Sequence, residues 1–82
     1  MIHELKIYPH FFEAVVMGTK TFELRKDDRE FQVCDLLILK EWDPNNEQFT
    51  GREAVRRVCY VLKHVPGLLQ GYAVLGIEEA AE

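Results

Sequence analysis

The chain has 82 residues, 48% of them apolar and 29% charged. These proportions suit one small folded domain and exclude disordered, fibrous and low-complexity classes. A formal net charge of −4 excludes a uniformly basic nucleic-acid coat and leaves local basic patches as the only route to phosphate.

The elements follow in chain order. Residues 3–8 alternate His3, Leu5 and Ile7 with Glu4, Lys6 and Tyr8, the pattern of a half-buried strand. Pro9 suits the first position of a helix and Gly18 the residue just past its end. Between them Phe12 with Val16, and Phe11 with Val15, predict an apolar stripe. Residues 19–26 read as a second strand. Its period of two puts Thr21, Glu23 and Arg25 on one face and Lys20, Phe22 and Leu24 on the other, so Lys20 interrupts the apolar face. Asp27-Asp28-Arg29-Glu30 is a polar turn, after which Phe31 and Val33 are both expected to drop onto the core.

Residues 36–42 are apolar on both faces until Lys40, which predicts a central strand. Asp43-Pro44-Asn45-Asn46-Glu47 is a turn signal, and the resulting hairpin continues into a long strand over residues 50–65. Its alternation sets Val55, Arg57, Cys59 and Val61 against Ala54, Arg56, Val58, Tyr60 and Leu62, and its length calls for a bend. Pro66-Gly67 and Gly71 bracket a tight connection with room for one helical turn. Residues 72–77 form the last strand, with Gly76 marking a bulge or a close backbone approach. The acidic end from Glu78 to Glu82 is expected to fray. The expected fold is a single α+β domain over residues 1–82: a mixed, mostly antiparallel five-stranded sheet, curled into a barrel, with one main helix.

The apolar runs at 36–39 and 72–77 are too short to span a bilayer, and residues 1–7 lack the apolar stretch of a signal peptide. A cytoplasmic location with no membrane partner is therefore expected. Cys34, Cys59, His3, His10 and His64 are scattered without the spacing of a disulfide clip or a metal site, so no metal and no cofactor are implied.

Lys20, Glu23 and Arg25 are the leading site residues. They suit a cleft in which the cations meet phosphate, carboxylate or base oxygens and Glu23 accepts from a base amine. The plainer alternative is a set of solvated ion pairs worth under about 1 kcal/mol. Arg25, Lys26 and Arg29 form one basic cluster and Arg52, Arg56, Arg57 and Lys63 another, which only folding can unite. Trp42, with Tyr60 or Tyr72, offers a stacking platform for a base, or else anchors the hairpin with Arg52 lying over its ring. Cys34 beside Asp35 is a poor nucleophile, because a neighbouring carboxylate raises a thiol pKa.

The order of these features closely resembles that of the DUF3850 family. It runs from His3-Glu4-Leu5-Lys6-Ile7 and a helix at Pro9 to Gly18-x-Lys20-Thr21-x-Glu23-x-Arg25-Lys26-x-Asp28-Arg29-x-Phe31-x-Val33-x-Asp35. Glu41-Trp42, Phe49-Thr50-Gly51-Arg52 and Gly71-Tyr72-x-Val74-Leu75-Gly76 complete it. The resemblance places the chain in the ASCH and PUA-like superfamily and implies a pseudo-barrel that binds RNA or a nucleotide-like ligand. In that group a Gly-x-Lys-x-x-Glu-x-Arg motif lines a cleft, carried here by Gly18, Lys20, Glu23 and Arg25, and the implied ligand-binding set is Lys20, Thr21, Glu23, Arg25, Lys26, Arg29, Trp42 and Arg52. The family usually has Gly where this chain has Cys34, so a positive φ there would strain the backbone by about 1 to 2 kcal/mol. Some ASCH proteins resemble amidohydrolases acting on acylated cytidine through a Lys, a Thr three residues later and a distant Glu. Lys20 matches, but Glu23 occupies the Thr position, which favours binding over catalysis. An interaction module of a mobile element is the third alternative.

Overall fold

The computed structural model describes residues 1–80. Strands β1 (Ile2–Ile7), β2 (Phe22–Lys26), β3 (Leu36–Asp43), β4 (Gln48–Leu62) and β5 (Tyr72–Glu79) form one sheet, with helix α1 (Pro9–Val16) after β1. The sheet order is β1-β3-β4-β5-β2. β1 and β3 run parallel and every other pair is antiparallel, so the fold is the expected mixed, mostly antiparallel α+β sheet with one helix, curled into a half-barrel consistent with the expected pseudo-barrel. Its interior is lined by Leu5, Ile7, Phe12, Val15, Phe31, Leu37, Leu39, Val58, Ala73 and Leu75, all buried. Each large apolar side chain removed from water stabilises the fold by about 1.5–3 kcal/mol.

α1 is short and relies on packing. It buries Phe12 and Val15, spaced by three, while Phe11 and Val16 remain about half exposed. The apolar stripe is thus narrower than the two expected pairs, because eight residues give only two turns to set against the sheet.

β2 reverses the expected faces. Glu23 is 3% exposed, whereas Phe22 is 47% and Leu24 56% exposed. The register with β5 is the cause: Glu23 lies opposite Leu75 and Arg25 opposite Ala73, and directly opposed residues share a face of the sheet. Since Ala73, Leu75 and Ile77 fill the interior, Glu23 must point inward with them. Lys20 and Thr21 precede the strand rather than belonging to it.

β4 also changes face along its length. Ala54 and Val58 point inward, but the register shifts between Val58 and Tyr60. Cys59 is the extra residue, after which Val61 packs on the core and Tyr60 is exposed. A Cβ at Gly76 would stand 3.3 Å from Cys59 Sγ and 3.3 Å from Tyr60 Cβ, so glycine permits the close approach that the bulge imposes. β4 ends at Leu62, short of the expected boundary. The following connection contains turns but no helical turn.

Two further expectations change. Glu78 and Glu79 do not fray: they are strand residues opposite Arg57 and Arg56. Ala80 follows outside the strand, and residues 81–82 lie outside the described residues. Phe31 is buried as expected but Val33 is 53% exposed, because the chain turns sharply toward Asp35 instead of continuing over the core.

That turn is held by a polar corner. Asp35 accepts from buried His3 at 2.9 Å, from the Met1 ammonium at 3.1 Å and from the Gln32 N–H at 3.0 Å. Cys34 sits at φ 80°, where it donates its N–H to the Val58 carbonyl at 2.7 Å while Val58 donates back to Asp35 at 2.8 Å. A non-glycine residue is disfavoured in this conformation. Cys34→Gly should therefore raise stability by about 1 kcal/mol, read as a higher urea midpoint at unchanged slope. An unchanged or lower midpoint would show that no strain is stored there.

Asp35 loses solvation on burial, which raises its pKa, but the hydrogen bonds from His3, Gln32 and the amino terminus outweigh this and hold it below its ordinary value of 3.8. The Lys63 hydrogen bond, opposed by partial burial and aided by the Phe31 N–H, likewise lowers Asp27. With folded pKa values below the unfolded ones, this stability is present above the ordinary carboxylate range and is lost as pH falls through it. The melting temperature should drop steeply below about pH 4, and Asp35→Asn, although less stable near neutrality, should show a shallower drop. Parallel pH profiles for the two proteins would remove Asp35 from this account.

Candidate ligand-binding cleft

The turn after α1 delivers Lys20. Gly18, at φ 83°, donates to the Val15 carbonyl and Thr19 to the Ala14 carbonyl, each at 3.0 Å, the paired bonds of a Schellman C-cap. Lys20 N–H also reaches Ala14 O at 3.0 Å. Three backbone bonds thus fix the helix exit, and the Lys20 side chain emerges beside the start of β2. Its Nζ donates to the Phe22 carbonyl at 2.7 Å and contacts Glu23 Oε1 directly.

Arg25 approaches the same carboxylate from the other side, with Nε 2.9 Å from Glu23 Oε2. Its Nη2 donates to the Lys6 carbonyl at 2.8 Å, and Arg29 Nη1 donates to the Glu4 carbonyl at 3.0 Å. Those carbonyls belong to β1, which with β2 forms the two outer strands of the sheet. The barrel therefore remains open between β1 and β2, and arginine side chains cross the gap where a backbone ladder would otherwise run.

A cavity of about 550 Å³ occupies this seam, lined by Lys6, Ile7, Tyr8, Phe11, Lys20, Phe22, Glu23, Leu24 and Arg25. Its size is that of a small-molecule site. The walls are mainly apolar and aromatic, with a buried carboxylate among them. Lys20 Nζ also lies 5.0 Å from the Phe22 ring centre and 5.6 Å from that of Phe11, so both aromatic faces help to hold the cation. Lys6, Lys20 and Arg25 against Glu23 give the cavity lining a formal charge of about +2.

Lys20, Glu23 and Arg25 thus come together. Thr21 does not join them: it is exposed, and its carbonyl accepts from Ile77 N–H at 3.0 Å. Lys26 and Arg29 line a smaller neighbouring cavity. Trp42 packs edge-on against Phe49 at 4.9 Å across the hairpin, and Lys6, not Arg52, covers its ring at 4.0 Å. Arg52 lies over Phe12 at 4.7 Å, 2.8 Å from Glu13 and 3.7 Å from Glu41. It moves away from Trp42 because buried Glu41, which also accepts from Thr50 at 2.7 Å, needs a cation nearby. The second basic cluster is absorbed in similar contacts: Arg56 bonds to the Val15 carbonyl at 3.4 Å and Lys63 to Asp27 at 2.7 Å. Lys63 is thereby brought beside the first cluster, on the carboxylate next to Lys26, while Arg52 and Arg56 are engaged elsewhere.

Sequence reasoning missed Lys6, Tyr8 and Phe11 as cavity residues. Their signal was the exposed aromatic flanking of Pro9, which reads as ordinary surface until β2 is placed opposite. Among the described residues, no group of three or more His, Cys, Asp or Glu side chains converges as a metal site. No helix among them is long and apolar enough to cross a membrane.

A family model described as "Domain of unknown function (DUF3850)" matches residues 2–77, a span that includes every cavity residue. The chain is also 42% identical over 60 residues to the "Uncharacterized 12.9 kDa protein in GpA 3'region" of Escherichia phage P2, covering 73% of this chain and 53% of that protein. It thus spans about half the length of the curated relative it matches.

The Glu23 cluster yields a direct energetic test. Arg25→Ala removes both a partner of a buried carboxylate and a bridge to β1, and should cost about 2–3 kcal/mol, less than the roughly 3–5 kcal/mol of a fully buried pair because Arg25 keeps some solvent contact. In a denaturation cycle with Glu23→Gln, the coupling between the two positions should exceed about 1 kcal/mol. Simple additivity would show that the contacts do not act as a unit.

Proposed function

The chain belongs to the DUF3850 family, and we propose that its seam cleft binds a nucleobase presented by RNA or by a nucleotide-like ligand. The observation that carries this reading is the buried Glu23 carboxylate, held by Lys20 and Arg25 at the side of an apolar cavity. An ionised carboxylate has about four acceptor sites, more than its two cations occupy. A base amine is a suitable further donor, as in carboxylate recognition of the cytosine amine. Cytosine or adenine, which carry an exocyclic amine that can donate to the carboxylate, match Glu23 better than uracil, which has none. Phe11, Phe22 and Tyr8 supply apolar surface for the ring. The half-barrel shape agrees with the PUA-like character that the sequence resemblance implies.

This reading assigns roles different from those first expected. Lys20 and Arg25 do not wait unpaired for phosphate. They orient the Glu23 carboxylate, and the ligand meets the group they hold.

Fluorescence anisotropy with labelled cytidine- and adenosine-rich RNA, their DNA equivalents and oligouridine tests the proposal. Binding should weaken with salt at a logarithmic slope of about −1 to −2, as expected for one to three phosphate contacts on a single strand. Lys20→Ala, Arg25→Ala and Glu23→Gln should each lower affinity at least about tenfold, the loss of one charge-assisted contact. Salt-independent binding, or binding that survives all three substitutions, would overturn the proposal.

The direct contact between Lys20 Nζ and Glu23 favours one second reading, hydrolysis of an acylated cytidine. Glu23 would take a proton from water as the new carbon–oxygen bond forms, and Lys20 would supply one to the departing amine. Chromatographic release of cytidine by the native protein, absent in Glu23→Gln, would establish it; no release at high protein concentration would dismiss it.

A further inference from the structure

Arg25 is shared by two cavities. Beyond it lies a second, of about 140 Å³, lined by Leu5, Arg25, Lys26, Asp28, Arg29 and Phe31. Its volume suits one tetrahedral oxyanion rather than a ring. Three cationic side chains face it against the single carboxylate of Asp28, a formal excess of two positive charges in a protein whose net charge is −4.

The arginines are held in place without being exhausted. Arg25 uses Nε and Nη2 for Glu23 and Nη2 also for the Lys6 carbonyl, which leaves Nη1 free, and Arg29 uses Nη1 for the Glu4 carbonyl. A guanidinium carries five N–H donors, so each retains donors after its contacts to β1 are made. Among the described residues, no carboxylate pairs with Lys26 or Arg29. Leu5 and Phe31, both buried, back the cavity and exclude water from one side. This strengthens any charge-assisted hydrogen bond formed there.

We infer that the second cavity is a phosphate subsite and that the seam selects a phosphorylated nucleotide over the bare nucleoside. The inference rests on the base-binding reading of the larger cavity, and Arg25 joins the two. One edge of its guanidinium orients the carboxylate that reads the base, and the other faces the phosphate. The base and its phosphate would therefore lie on opposite sides of a single residue. Asp28 opposes the anion and limits the affinity for phosphate alone, so the base is needed for tight binding.

Calorimetry would compare cytidine, its monophosphates, the dinucleoside monophosphate in which the phosphate is internal, and inorganic phosphate. Amide NMR would follow residues 25–31. A monophosphate should bind about tenfold or more tightly than cytidine, the value of one added charge-assisted contact. Lys26→Ala or Arg29→Ala should shrink that ratio toward one, and Asp28→Asn should enlarge it. Lys26 bridges no carbonyl of β1, so its variant keeps the test valid if Arg29→Ala fails to fold. Preference for the internal phosphate identifies an RNA strand, and preference for the terminal one a free nucleotide; both support the subsite. Equal affinity for cytidine and its monophosphates overturns the inference while leaving the base-binding reading intact. If no nucleoside binds but inorganic phosphate shifts the amides of residues 25–31, the base-binding reading fails and the subsite stands. No shift with phosphate or any monophosphate overturns the subsite.

Discussion

The sheet ends in two strands, β1 and β2, whose outer backbone edges lie near each other without forming a ladder. Exposed strand edges carry unpaired carbonyls and N–H groups that invite foreign strands. Here Arg25 and Arg29 satisfy the Glu4 and Lys6 carbonyls with side-chain donors. An arginine bridge is longer than a backbone hydrogen bond, so it holds the strands at a distance that leaves a cavity between them. The side chains that blunt the edge therefore also shape the cleft.

The same constraint explains a buried carboxylate in a small domain. β5 sets Ala73, Leu75 and Ile77 inward, and its register obliges Glu23 and Arg25 to follow. A leucine at position 23 would fill that place without any desolvation cost. Burying Glu23 demands both Lys20 and Arg25, and replacing such clusters with apolar residues is often neutral or stabilising. Packing alone does not account for the charge. The proposed ligand would meet the acceptor capacity that this group keeps beside the cavity.

Much of the framework was legible in the sequence because local rules and tertiary packing agree there. β1, the helix start at Pro9, the glycine exit at Gly18, the central β3 and the hairpin at Asp43 to Glu47 all follow from period, capping and turn chemistry. At Cys34 the resemblance only raised the question, since its usual glycine left open whether the position needs a positive φ, and the structure answers it with φ 80°. The faces of β2 were not legible. Phe22 and Leu24 form the better apolar set, yet the partner strand outvotes them, and no period within five residues reports a cross-strand register. The bulge at Cys59 was only partly legible, since Gly76 signalled a close approach without saying which strand makes it. For the site, the triad of Lys20, Glu23 and Arg25 was recognisable from its spacing and resemblance. Lys6, Tyr8 and Phe11 were not, because they reach the cleft only through the placement of β1 against β2. Arg52 and Trp42 were misassigned to each other, because the buried Glu41 that attracts Arg52 looked like a surface residue.

Charge distribution narrows the recognition this fold can support. With a net charge of −4 and most cations of the second basic cluster engaged in internal contacts, long-range attraction to a polyanion is weak, and a long duplex would gain little by lying across the surface. Phosphate recognition has to be local. Lys26 and Arg29, which no carboxylate pairs among the described residues, lie beside Arg25 and next to the large apolar cavity. Under the proposed reading, a site built this way would recognise its nucleotide by desolvation and hydrogen-bond geometry more than by long-range charge. The surrounding acidity then acts in its favour, because it suppresses non-specific polyanion binding that would compete for the cleft.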